Sequence, residues 1–195
     1  AWPGLTTRRA DRVQLGRGNE ARMAQMTQSG ERYHGLPSPI LVTGISGFIA
    51  SHLAERLAEM GVTVRGTARR PADVRLPAGN IEVVQADLLE ADSLRRAAVG
   101  CRAIVHAAAW TGGAELPDAA GMRVNVAGTA HLLAAAEAAG VERFIYLSSV
   151  AVYGLNRAPL VDEMAPTPAV GQAYPDSKIA AEALVRAAAV PWVIV

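Results

Sequence analysis

The chain has a single cysteine, Cys101, among 195 residues, so a disulfide within the chain is excluded. A reducing, cytosolic setting is the expectation. Without a matching histidine and asparagine pattern, Cys101 reads as a small buried hydrophobe at a strand entrance rather than a reactive thiol. Long apolar runs are missing too, since none approaches the roughly 20 residues that cross a bilayer. The amino-terminal arginines precede no apolar stretch, which argues against a secretory signal. Charge of one sign is not in excess: the formal net charge is +1. Neither nucleic acid nor a membrane surface is called for. No cluster of Cys, His and carboxylates has metal-site spacing, so no metal is implied.

What remains is 51% hydrophobic and 19% charged. That composition suits one globular α/β domain with a buried parallel sheet. Residues 1–38 show neither helical nor strand periodicity. They hold Arg8, Arg9, Arg12, Arg17, Arg22 and Arg32 against Asp11, Glu20 and Glu31. They read as a disordered or loosely attached leader, with arginines dispersed as solvated groups usually are.

From Pro39 to Val195 the pattern becomes repeated strand and helix. Strands are expected at Ile40 to Thr43, Val62 to Ala68, Ile81 to Gln85, Ala103 to Ala107, Phe144 to Leu147 and Trp192 to Val195. Helices are expected at Phe48 to Met60, Leu89 to Val99, Val124 to Ala139 and Tyr174 to Ala189. The first of these should bury Phe48, Ile49, Leu53 and Leu57 and stop at Gly61. Alternating strands and helices predict a Rossmann-type doubly wound parallel sheet with helices on both faces. Ligand belongs at the carboxyl ends of its strands.

Three motifs fall in order: TGISGFIA at Thr43–Ala50, SSVAVYG at Ser148–Gly154 and YPDSK at Tyr174–Lys178. A glycine-rich turn after an apolar strand, opening an amphipathic helix, is a phosphate cradle. Backbone approaches the pyrophosphate closely, and free N–H groups of the helix start favour negative charge. Gly44 and Gly47 serve that turn, with Ala50 at a third place that governs helix–strand packing. Ser46, Phe48 and Ile49 belong to the same binding segment. About 20 residues further on, where NAD enzymes place an acid on the ribose, stands Ala68, followed by Arg69 and Arg70. Guanidinium groups there suit a 2′-phosphate, so NADP is expected ahead of NAD.

A phenol is too weak a base at neutral pH unless a cation lowers its pKa. Tyr174 and Lys178 lie four apart and share a helix face. Hydride transfer at an alcohol carbon needs a group that takes the hydroxyl proton, and this pair meets that need. Tyr153, the other phenol nearby, has no lysine four residues on and reads as packing. His106 reads as a satisfied core histidine.

Together these motifs resemble the extended short-chain dehydrogenase/reductase family: nucleotide-sugar epimerases, dehydratases and dihydroflavonol-type reductases. The likeness covers about Pro39 to Val195, the family's cofactor half. It implies that Lys178 holds the nicotinamide ribose as well as steadying the phenolate. Ser149 would donate to the substrate oxygen in preference to Ser148, and Asn125 would support the site. Asp87 and Leu88 match the adenine-edge contact, while Ala107, Ala108 and Ala109 match the small residues beside the cofactor. Dehydratases carry an Asp-Glu pair just after the catalytic hydroxyl, whereas Val150 and Ala151 stand here, so dehydration is disfavoured. Epimerisation of a nucleotide sugar, or reduction of a carbonyl compound, remains. A catalytically silent dinucleotide-binding module is the reading from another class. By the same likeness the partners are a small-molecule substrate and a second copy of the chain.

Overall fold

The computed structural model describes residues 36–76, 79–112, 117–154 and 161–195. The leader expected at 1–38 therefore lies outside the described residues up to residue 35. Six strands form one sheet: β1 Ile40–Thr43, β2 Val64–Ala68, β3 Ile81–Gln85, β4 Ala103–His106, β5 Arg143–Tyr146 and β6 Trp192–Ile194. Their order is β3-β2-β1-β4-β5-β6, and every pair is parallel. The helices are α1 Phe48–Glu59, α2 Ala91–Ala98, α3 Asp118–Ala138 and α4 Ala173–Ala187, with 3-10 turns at Pro71–Asp73 and Val150–Tyr153. The strand order reverses between β1 and β4, and a crevice opens at such a switch point.

Alternate strand residues feed the two faces, as a period of two requires. Ile40, Val42, Val64 and Val105 point to one core, completed by Ala50, Ala54 and Leu57 of α1. Leu41, Ile104, Phe144 and Tyr146 point to the other, completed by Leu94 of α2, Leu132 of α3 and Val185 of α4. Each fully buried large side chain contributes about 1.5–3 kcal/mol. This two-sided burial is what commits a parallel sheet to near-continuous apolar strands.

Two expectations need correction. Phe48 and Ile49 are 80% and 60% exposed, not buried. Helix α1 turns Ala50, Ala54 and Leu57 to the sheet, so small side chains bring it close, while Phe48 and Ile49 stand exposed in its first turn, past the carboxyl end of β1. Helix α3 also begins six residues earlier than its apolar period suggests. Gly121 within that first stretch costs helix propensity, but it leaves room for the Trp110 ring: a Cβ there would lie 2.1 Å from the indole. No helix among the described residues is long and apolar enough to cross a membrane.

Candidate active site

The carboxyl ends of β1, β4 and β5 align Thr43, His106 and Tyr146 in one row of the sheet. All three are at most 1% exposed, so their polar atoms must find partners inside. Thr43 and His106 do so in a way that fixes the imidazole tautomer. Thr129 Oγ1 donates to the Asn125 carbonyl at 2.6 Å, leaving its oxygen to accept from His106 Nε2 at 3.1 Å. His106 Nδ1 then accepts from Thr43 Oγ1 at 2.9 Å. The Thr43 oxygen in turn accepts the Ala107 and Ala108 amides, each at 3.1 Å. Burial, with help from the Lys178 charge, lowers the His106 pKa to about 3 and keeps the ring neutral. The sequence reading of His106 as a satisfied core residue holds.

Thr43 thus ties the chain after β4 against the turn after β1. Gly44 sits at φ 71°, and a Cβ there would lie 2.9 Å from Ala108 Cα, so only glycine fits. Gly47 caps α1 in extended conformation with no side-chain hydrogen bond, and a Cβ on it would meet the Gly44 carbonyl at 3.2 Å. The first turn of α1 contains no acidic residue. Ser46, Gly47, Phe48 and Ile49 are exposed, and Ala107, Ala108 and Ala109 are half-buried beside them. A cradle whose walls a Cβ would fill, opened by a helix start without a competing carboxylate, fits the pyrophosphate of a dinucleotide.

The ribose and adenine candidates line the neighbouring strand ends. Arg69 and Arg70 follow β2, and both are exposed. Arg70 is paired with Asp73 at 2.8 Å, whereas Arg69 has no ion pair among the described residues. Asp87, after β3, accepts the Leu89 amide at 2.9 Å through one carboxylate oxygen, and its own amide donates to Ser93 Oγ. The Leu88 carbonyl accepts from His131 Nδ1 at 2.9 Å.

At the far side of the switch point, α4 carries Tyr174 and Lys178 one turn apart. Its amino end is held by Asp176, which accepts the Val170 and Gly171 amides at 2.7 and 3.0 Å. Lys178 is only 2% exposed. Its ammonium donates to the Leu147 carbonyl at 2.6 Å and lies 4.1 Å over the Tyr146 ring. Leu147 is two residues before Ser149, so Lys178 is seated against the strand end that leads into Ser149. Burial lowers the Lys178 pKa to about 8, with Glu182 opposing. Ser149 caps the 3-10 turn, its oxygen accepting the Ala151 amide at 3.2 Å, and its O–H is left to donate. Ser148 instead donates to Glu182.

Asn125 is 2% exposed, with both amide N–H donors and its oxygen engaged. Its oxygen accepts the Trp110 amide at 2.7 Å, and its nitrogen donates to the Trp110 carbonyl and to Ser177 Oγ, both at 2.8 Å. It therefore joins the segment after β4 to the residue next to Lys178. Tyr153 is half-buried at the end of the 3-10 turn. Tyr146, Trp110, Ser177 and Glu182 were missed from sequence. Only Glu182 left a usable signal there, as the next step in the four-residue spacing of Tyr174 and Lys178. Among the described residues no group of three His, Cys, Asp or Glu is placed to hold a metal.

Comparison with known proteins bears on this geometry. The family model described as NAD dependent epimerase/dehydratase family matches residues 40–192. A 3 beta-hydroxysteroid dehydrogenase/Delta 5-->4-isomerase of Mycobacterium tuberculosis is 38% identical over 157 residues, covering 76% of this chain and 42% of the relative. Cinnamoyl-CoA reductase 1 of Petunia hybrida is 40% identical over 138 residues, covering 64% of this chain and 40% of the relative. The solved structure of the Bordetella bronchiseptica enzyme WbmG in complex with NAD and UDP is 28% identical, with a TM-score of 0.72 over 82% of this chain and 53% of that one. The chain thus spans less than half the length of these curated relatives.

Proposed function

The chain belongs to the NAD dependent epimerase/dehydratase family, in the extended short-chain dehydrogenase/reductase group, and on that premise we propose hydride transfer at a hydroxyl- or carbonyl-bearing carbon. The observation that carries the reading is the seat of Lys178, held by the Leu147 carbonyl on the helix that bears Tyr174 and two residues from Ser149. The dinucleotide, when bound, supplies the acceptor and donor of hydride. Gly44, Gly47 and the open start of α1 would receive its phosphates, with Ser46, Phe48 and Ile49 around them. Asp87, Leu88 and Ala107–Ala109 would flank its remaining parts. Ser149 donates to the substrate oxygen. Tyr174 takes the hydroxyl proton in one direction and returns it in the other, its phenolate steadied by the Lys178 charge. Asn125 keeps Trp110 and Ser177 in place and so supports the floor of the site.

A nucleotide sugar is the proposed substrate, with epimerisation through a transient ketone. Val150 and Ala151 leave no acid pair after Ser149 to drive loss of water. The second reading, an NADPH-dependent carbonyl reductase, is favoured by Arg69, which stands unpaired among the described residues beside an Ala68 that carries no acid. The two differ in cofactor balance: an epimerase returns the dinucleotide unchanged, and a reductase consumes it in proportion to product. Calorimetric titration of NADP and NAD into the folded 195-residue chain tests the binding half, with measurable affinity expected. Heat-silent titrations of both would overturn the site.

A further inference from the structure

Lys178 is the one lysine in the chain, every other fixed cation being an arginine. An ammonium that is 2% exposed carries a desolvation penalty, and it sits over the Tyr146 ring with one carbonyl in reach. Glu182 lies four residues further along α4, on the same face, and is itself 6% exposed. A buried carboxylate also needs partners, and this one has two. Ser148 donates to Oε1, and Arg186 Nη2 donates to Oε2 at 3.1 Å. Ser148 is the hydroxyl that the proposed chemistry leaves without a part, and it comes from the strand end that also supplies Leu147 and Ser149. Glu182 is thereby fixed at the junction of β5 and α4, one helical turn from Lys178.

We infer that Glu182, anchored by Ser148, is a positioning residue that supplies the fixed counter-charge for Lys178 and keeps its ammonium charged in a buried seat. The other groups around Lys178 do not supply that charge. From β4, His106 is neutral. From β5, burial raises the Tyr146 phenol and keeps it protonated. From α3, Asn125 and Thr129 do not titrate. On α4 itself, Tyr174 is the proposed proton carrier and Arg186 bears the opposite sign on the far side of Glu182. Burial lowers the Lys178 pKa and Glu182 is the group that raises it back.

This deepens the proposed role of Lys178 and takes its catalytic meaning from that reading. Its test needs neither substrate nor dinucleotide. The chain is produced with lysine labelled with carbon-13 at Cε, which gives one side-chain resonance with no assignment needed. Its shift is followed against pH for the native chain and for Glu182→Gln, which keeps an oxygen for Ser148. The native midpoint is expected near 8. Glu182→Gln is expected to move it down by about one pH unit, the size typical of a nearby opposite charge. A purely structural glutamate would leave it in place, so an unchanged or raised midpoint overturns the inference. Arg186→Ala removes the cation beyond Glu182 and should move the midpoint up by a smaller amount. If Glu182→Gln fails to fold, a midpoint in Arg186→Ala that stays or falls overturns it instead. A midpoint that moves as expected in a chain whose Tyr174 proves dispensable would keep this inference and remove the hydride-transfer reading.

Discussion

Lys178 and Arg69 are both cations at the carboxyl side of the sheet, and almost nothing else about them is alike. Lys178 sits 2% exposed between β5 and α4, with a carbonyl at 2.6 Å and an aromatic ring beneath it. Arg69 stands in solvent past β2, with no ion pair among the described residues. The first is buried with a single acceptor, so its charge depends on the groups packed around it. The second is screened by salt and water and can only bias which ligand binds. The proposed chemistry therefore lies where the protein sets protonation states, and the proposed cofactor choice lies where it adds a little affinity.

The largest expected effect falls at the buried end. Tyr174→Phe should lower kcat about a hundredfold or more, the usual worth of a positioned proton carrier, while leaving dinucleotide affinity nearly intact. Lys178→Ala should harm both. Steady-state rates and cofactor titrations on a longer chain that includes the substrate-binding part separate the two. A Tyr174→Phe enzyme with near-native kcat would remove the distinction drawn here.

Next comes the clamp. Asn125→Ala strands the Trp110 amide and the Trp110 carbonyl and takes one donor from Ser177 Oγ, which still donates to the Tyr174 carbonyl, and should destabilise the fold by about 3 kcal/mol. Denaturant unfolding of the variant beside the native chain measures it. A loss under about 0.5 kcal/mol would place Asn125 with the ordinary surface positions.

A pH dependence sharpens the comparison further. The His106 pKa is lowered from 6.5 to about 3 in the fold, so between those values the unfolded chain binds the extra proton. Its contribution to stability is present above 6.5 and is lost as pH falls toward 3. Tm should decline across that window, and His106→Gln should flatten the decline. Lys178 works in the other window. With its pKa lowered from 10.5 to about 8, its burial penalty is relieved as pH rises between those values.

The smallest effect is expected at the exposed end. Arg69→Ala should weaken NADP about tenfold and NAD little, the worth of one charge-assisted contact. Ala68→Asp should turn the preference toward NAD. The NADP advantage should shrink as salt rises, and equal affinities at low salt would show that Arg69 only solvates the strand end.

The sequence by itself determined the architecture and the order of the motifs. Short strands alternating with helices admit few arrangements besides a parallel sheet covered on both faces, and the structure has that sheet. The glycine turn and the spacing of Tyr174 and Lys178 were legible because they are local: a positive φ and a helical pitch act over a few residues. Tertiary structure alone decided what depends on residues far apart in the chain. Phe48 and Ile49 look like core from their hydropathy, yet the small face of α1 is the one that meets the sheet. Helix α3 runs through Gly121 because Trp110, from another segment, fills the missing side chain. Asn125 reaches Trp110 and Ser177, and Ser148 reaches Glu182, only once α3, α4 and β5 have packed. Hydrogen-bond partners and pKa values are set by burial and by neighbours brought in from elsewhere, and a one-dimensional pattern encodes neither until the chain has closed on itself.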